Sequence, residues 1–340
     1  MSRWQTWLVV GAVGALAVLA AADALRGHGE PEASPRAAAT TTTTPPPLTL
    51  REKLRQAAIT GFVLYSDQNC VLHSLLLPGM ETAVVRHEDG RPEQRCSFTV
   101  AAGRILPGDV VPSPGGGQLA RCRRGRIRVW ETESGAPVRT VRGCAPAWDA
   151  DGRLTYARSE EVRQDDRVLY SPAELHRIAR RYPTVATLGP HVPFRVRVRA
   201  LAWLDRLHLA MSLRVRIEGV EPQYFVVLLD GEEIVTLDTA FRVPMTKLVV
   251  SPAGSFVADE QGTLLLTQGR SLNLPAGVPR PRSVAFSPDE GWLAAATGRS
   301  VFLVGTPRNP GRIIRLPVSA RDLVWEPVSR GSVVGPPIRR

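Results

Sequence analysis

The sequence predicts an all-β fold, a β-propeller of six four-stranded blades, and three observations carry that reading. First, one phrase recurs: a short apolar strand, a Ser-Pro turn and a second apolar strand. It is clearest from Arg282 to Thr297 and returns from Lys247 to Ala258 and from Asp109 to Ala120. Degenerate copies start at Ala145 and Ala200, and a truncated one, Asp322-Leu-Val-Trp-Glu-Pro, lies near the end of the chain. Proline fixes φ, and the Asp or Gly that follows suits a tight reversal, so the phrase folds locally as two strands and a turn. Second, aligning the copies on Ser113, Asp149, Leu204, Ser251, Ser287 and Glu326 gives spacings of 36, 55, 47, 36 and 39 residues. That is room for about four short strands per copy, the size of a propeller blade. Third, the two ends complement each other. Asp322–Pro327 supplies an inner strand with no strands after it. Phe62–Ser66 and Cys70–Leu77 supply outer strands with no inner strand before them. Pairing them completes a blade and removes two open strand edges. The composite blade makes six inner strands, and the irregular middle spacings leave five or seven blades open.

The elements follow in chain order. Residues 1–25 hold an apolar run of sixteen residues, Trp7 to Ala22, just short of the usual spanning length. It reads as a retained transmembrane anchor. Ala20-Ala-Ala and Ala22-Asp-Ala keep a cleaved signal peptide as the alternative. Residues 26–48 are rich in Pro and Ala and carry five threonines at Thr40–Thr44. Too little apolar surface is present there to offset ordering, so a disordered linker is expected. Over residues 49–60, Thr49 and Glu52 have capping-box spacing, and Leu50, Leu54, Ala57 and Ala58 share one helical face. Residues 61–328 form the propeller. Its best-defined blade has strands over Asp109–Ser113, Gln118–Cys122, Arg126–Trp130 and Val138–Val141. Between the third and fourth inner strands a helix is expected near 171–182. It opens on Ser171-Pro-Ala-Glu, buries Leu175, Ile178, Ala179 and Tyr182, turns His176, Arg177, Arg180 and Arg181 to solvent, and stops at Pro183. Residues 329–340 read as a tail.

Ile127-Arg-Val-Trp-Glu-Thr-Glu-Ser-Gly resembles the third-strand signature of WD-type repeats, with Glu131 where those repeats usually carry Asp. The Ser-Pro-Asp turns resemble the repeats of TolB-type propellers. The likeness runs from about Gly61 to Pro327 but is carried by short phrases, and nothing matches the extra amino-terminal domain of TolB. It implies a propeller and, by class, a ligand- or protein-binding module. Because some propellers are lactonases or hydrolases, an extracytoplasmic enzyme of that kind is the alternative.

Composition bounds the partners. Arginine supplies 41 of 43 basic residues and the net charge is +11, yet the arginines are dispersed and no nucleic-acid motif accompanies them. Nucleic acid is therefore not an expected partner. The membrane, through the N-terminal helix, and a protein partner or anionic ligand are. An anchor or a signal peptide alike would place the propeller on the extracytoplasmic side of the cell membrane. There four cysteines read as disulfides, Cys70–Cys96 and Cys122–Cys144, each pair being close in the proposed strand order. The six histidines lack metal-ligand spacing, so no metal and no cofactor is expected. No Gly-x-Ser-x-Gly elbow or phosphate loop occurs, and no catalytic residue is assigned.

One register points to a site. Five residues before each alignment point stand Gly108, Cys144, Arg199, Thr246, Arg282 and Arg321, with Lys247 beside Thr246. The starts of inner strands gather at one mouth of a propeller channel. Arg199, Lys247, Arg282 and Arg321 are therefore the candidate ligand-binding residues, a positive rim for carboxylate or phosphate. The competing reading pairs each arginine with a nearby acid, such as Asp322 or Asp205, and gives it only a loop-ordering role.

Overall fold

The structure, a computed structural model, describes residues 47–327 apart from 88, 190–191, 238–245, 260–261 and 267. The expected anchor or signal segment, the linker up to residue 46 and the tail lie outside the described residues. Among the described residues, no helix is long and apolar enough to cross a membrane.

Helix α1 (Leu50–Gln56) opens on Thr49, whose side chain accepts from the Glu52 amide while the Glu52 carboxylate accepts from the Thr49 amide. Its Leu54 and the following Ile59 are buried in a cluster with Val63, Trp292 and Leu323. The helix thus packs on the blades at the two ends of the ring, as its apolar face requires.

After it, β1 (Gly61–Ser66), β2 (Leu72–Leu77) and β3 (Glu81–Val84) pair in order. A lone hairpin follows, β4 (Phe98–Ala101) and β5 (Arg104–Pro107). The next blade is β6 (Val110–Pro112), β7 (Gln118–Arg123), β8 (Arg126–Glu131) and β9 (Pro137–Arg142), close to the strands read from sequence. Then come β10 (Cys144–Trp148), β11 (Leu154–Arg158), β12 (Glu161–Gln164) and β13 (Arg167–Tyr170). Helices α2 (Pro172–Arg180) and α3 (Pro183–Ala186) intervene. The longest blade is β14 (Phe194–Trp203), β15 (His208–Ile217), β16 (Gln223–Asp230) and β17 (Glu233–Leu237). The shortest four-stranded one is β18 (Leu248–Val250), β19 (Phe256–Asp259), β20 (Leu264–Leu266) and β21 (Arg270–Leu272). The last is β22 (Ser283–Phe286), β23 (Trp292–Ala296), β24 (Val301–Gly305) and β25 (Ile313–Leu316). Finally β26 (Asp322–Glu326) pairs with β1, Phe62 opposite Glu326 and Ser66 opposite Asp322. The two ends of the ring share one blade, as their complementary strand content predicts.

All six strands that the repeated phrase marks as innermost are innermost. The expected total of six blades is nevertheless corrected to seven, because β4 lies between β26 and β6 as a seventh inner strand. Six blades have four strands and this one has two. It escapes the repeat pattern because it reverses through Ala102 and Gly103, both at positive φ (46° and 72°), a two-residue hairpin turn without Ser-Pro.

The repeated serine has a definite use. The Oγ atoms of Ser113, Ser251 and Ser287 accept from the amides of Gln118 (2.9 Å), Phe256 (3.0 Å) and Trp292 (2.9 Å), each five residues on. In the degenerate copy Asp149 does the same, its Oδ1 accepting from the Arg153 amide at 2.8 Å. Each of these turns therefore satisfies an amide of its own, buried at Phe256 and Trp292 and part-buried at Gln118 and Arg153.

Helix α2 buries Leu175, Ile178 and Ala179 against the β10 and β14 blades. It differs from expectation in two ways. Pro183 starts α3 after the break at Arg181–Tyr182. His176 and Arg180 do not face away: the His176 ring stacks on Phe194 at 4.7 Å, and the Arg180 guanidinium lies 5.1 Å from the same ring. The aromatic start of β14 captures two side chains that a simple amphipathic projection assigns to solvent.

Both disulfides pair as the strand order implies, Cys70–Cys96 and Cys122–Cys144. The first joins the β2 end of the closing blade to the approach to β4. The second joins β7 to the first residue of β10. Each ties one blade to the next.

Candidate functional site

The starts of three inner strands, β22, β26 and β4, meet around Asp322, the first residue of β26. Its carboxylate is buried, 5% exposed, and fully occupied. Oδ2 accepts from the Ser97 hydroxyl (2.9 Å) and the Phe98 amide (3.1 Å). Oδ1 accepts from the Ser283 hydroxyl and from the Leu323 amide, the latter at 2.9 Å. Lys247 Nζ lies 4.0 Å from Oδ1. One carboxylate thus links the starts of β22, β26 and β4 and is approached by the cation that precedes β18. Sequence reasoning named Asp322 only as an arginine partner. Ser283 and Ser97 carry no pattern that announces such a hub.

Lys247, Arg282 and Arg321 accordingly lie at or beside this hub, by contact in the first case and by chain adjacency to Ser283 and Asp322 in the other two. Arg321 is half-buried, its Nη1 directed at the Gln68 carbonyl (3.4 Å) and the sulfurs of Cys70 (3.4 Å) and Cys96 (3.8 Å). It braces the disulfide-bearing turn. Arg282 is exposed, with its guanidinium laid against Gly298, where a Cβ would stand only 3.2 Å from Nε. Arg199 does not begin its inner strand as the register expects: β14 starts at Phe194, five residues earlier, and Arg199 is exposed within it as the extra residue of a bulge, since the pairing with β15 shifts between Val198 and Ala200. Bulges re-aim side chains at sheet ends.

The acid pairings of the competing reading take a different form. Asp205 holds His208, Nδ1 to Oδ2 at 2.7 Å, together with the Leu207 and His208 amides. Asp322 is approached by Lys247 rather than by an arginine. Among the described residues, no carboxylate forms an ion pair with Arg199, Arg282 or Arg321.

Glu290 marks the opposite ends of the strands. It is 1% exposed and accepts from the Ala253 amide (2.7 Å), the Ser255 hydroxyl (2.7 Å) and Arg308 Nη2 (2.6 Å). This carboxylate joins the Ser-Pro turns of neighbouring blades, so its use is structural.

Two solved structures resemble the fold. A crystal structure of a mitotic checkpoint complex aligns over 77% of this chain and 77% of that chain, at 14% identity and a TM-score of 0.44. The crystal structure of the Myceliophteria thermophila Cps50 (Swd1) β-propeller domain aligns over 79% of this chain and 90% of that chain, at 14% identity and a TM-score of 0.40. No protein-family model and no curated protein matches the sequence. The propeller assignment rests on the order and pairing of the seven sheets.

Proposed function

We propose that this propeller is a binding module of TolB or WD type, held at the extracytoplasmic side of the cell membrane by its N-terminal apolar segment. Its ligand is an anion or an acidic segment of a protein partner, taken at the channel mouth by Arg199, Lys247, Arg282 and Arg321. One observation carries this reading. Three cations, Lys247, Arg282 and Arg321, directly precede inner strands β18, β22 and β26, Arg199 stands at a bulge within a fourth, β14, and the buried carboxylate of Asp322 is already engaged by two hydroxyls and two amides. The mouth keeps positive charge that its own acid does not cancel. Guanidinium forks suit carboxylate or phosphate oxygens. Two disulfides accord with an oxidising compartment.

Titrating the protein with inorganic pyrophosphate and with citrate, across a salt series, tests the site. Arg199→Ala and Arg282→Ala should each weaken binding roughly threefold or more and reduce its salt dependence. Unchanged affinity and salt slope in both variants would make the rim structural. Topology has its own test: proteolysis within Arg26–Pro47 should release the propeller from membranes that resist washing. Recovery of free protein beginning near Asp23 or Arg26 would instead mean a cleaved signal peptide.

A further inference from the structure

The longest blade carries a second basic surface, formed by Arg195, Arg197, Arg214 and Arg216 and adjoining Arg199. Along β14, Phe194, Val196 and Val198 alternate with Arg195, Arg197 and Arg199, and β15 continues with Arg214 and Arg216. The register sets Arg195 directly opposite Arg216 and Arg197 directly opposite Arg214. The apolar residues of both strands enter the core beneath α2. The arginines therefore occupy the other face of the ribbon, where Arg195, Arg197 and Arg216 are exposed and Arg214 is half-buried.

Directly opposed like charges destabilise a sheet. Among the described residues, no acid forms an ion pair with any of these four arginines. The Nε of Arg214 is buried without a hydrogen-bond partner while its guanidinium lies 6.0 Å from the Tyr224 ring. Charges on an edge strand do discourage aggregation. That use needs only the row on β14, the edge; the second row on β15 adds repulsion and protects no edge. An external anion that bridges both rows explains both.

We propose that this ribbon binds an extended acidic peptide segment of a partner protein, with carboxylates at alternate positions. Alternate residues of an extended chain repeat every ~6.7 Å, the same step as successive arginines along β14. Opposed arginines stand about 5 Å apart at Cβ, close enough for one carboxylate to accept from both forks. Single-stranded nucleic acid needs aromatic platforms, and Tyr224 on this face already lies under Arg214. An anionic membrane is disfavoured by Glu218 and Glu221, both exposed in the turn at the tip of the ribbon.

The test uses the full chain and a fluorescein-labelled peptide alternating glutamate with serine, read by anisotropy over a salt series. Oligothymidylate and vesicles of phosphatidylcholine with phosphatidylserine serve as rival probes. The peptide should bind, with affinity falling as salt rises. Arg195→Gln/Arg216→Gln should lose roughly tenfold in affinity while melting no lower than wild type, since repulsion is relieved. Arg270→Gln/Arg312→Gln, which removes the same charge from exposed positions outside both surfaces, should bind the peptide as wild type does, so that the loss belongs to the ribbon and not to net charge. Failure of the peptide to bind, unchanged affinity in the Gln variant, or tighter binding of the oligonucleotide or the vesicles would overturn the proposal.

Discussion

Buried carboxylates hold the blades of this ring together, and each is stable only because of the donors around it. Burial alone would raise the pKa of Glu290. Hydrogen bonds from the Ser251 and Ser255 hydroxyls and from the Ala253 and Ser255 amides outweigh burial and hold it below the ordinary carboxylate range. A depressed folded-state pKa contributes stability that is complete above the unfolded value and is lost as pH falls through the folded one. Asp67 and Asp205 are depressed too: burial again opposes ionisation, and His73 with the Val71 and Asn69 amides prevails at Asp67, the His208 and Leu207 amides at Asp205. Glu326 runs the other way, since burial raises its pKa and its contribution fades as pH rises through the raised value. The depressed groups outnumber it, so the melting temperature should fall on acidification from about pH 5 to pH 3, and Glu290→Gln should flatten that limb. An identical acid limb in the variant would remove Glu290 from the account. At Asp322 what is at stake is hydrogen-bond geometry. Asp322→Ala strips acceptors from Ser97, the Phe98 amide and Ser283, and should cost about 2–4 kcal/mol in denaturant melts. A cost below about 0.5 kcal/mol would mean that water replaces the hub without penalty.

Among the elements, the two-stranded blade is the weak sector of the ring, because β4 and β5 have no third or fourth strand to extend their sheet. Covalent and polar ties concentrate around it. Cys70–Cys96 fixes the segment entering β4, Asp322 holds Ser97 and Phe98, and Cys122–Cys144 ties the two blades that follow. With cysteine separations of 26 and 22 residues, the chain-entropy model gives each disulfide about 3 kcal/mol. Replacing either pair by serine should lower stability by roughly that amount. Only the Cys70→Ser/Cys96→Ser protein should also show faster amide exchange across Phe98–Pro107, because only that disulfide anchors the hairpin. Equal exchange in the two variants would mean that Asp322 alone secures β4.

At the scale of the whole molecule, the sequence discloses what repeats and conceals what does not. The inner strands bearing the Ser-Pro phrase were legible because one turn chemistry, the serine hydroxyl accepting from the amide five residues on, recurs at Ser113, Ser251 and Ser287, and the Trp-bearing copies were legible by their apolar phrase. The β4–β5 hairpin was hidden because it solves the same reversal with Ala102-Gly103, and its signal was only Phe98 and Val100 alternating ahead of a glycine. The cationic register set Lys247, Arg282 and Arg321 directly before β18, β22 and β26 but missed at Arg199, because β14 runs ten residues where those strands run three to five. The Asp322 hub was not, because serines and a main-chain amide from separate blades converge only after closure. The arginines of β14 were visible as letters, but their opposition to those of β15 depends on a register that single strands do not encode. Closure itself turns on one small residue. Gly61 begins β1 at φ +123°, and a Cβ there would stand 2.6 Å from Trp325 Nε1 and 2.8 Å from the Glu326 carbonyl. Trp325 Nε1 in turn donates to the Thr60 carbonyl at 3.1 Å, beside that contact. Gly61→Ala therefore combines backbone strain with a steric clash at the single seam where the chain ends meet. It should cost roughly 2–3 kcal/mol, and it should expose the edges of β1 and β26 so that the protein aggregates near its melting point. Paired calorimetry and light scattering on wild type and variant decide the matter. A variant that melts at the wild-type temperature without added scattering would show that the ring tolerates a loosened seam, and that closure is secured elsewhere, at α1 and the Asp322 hub.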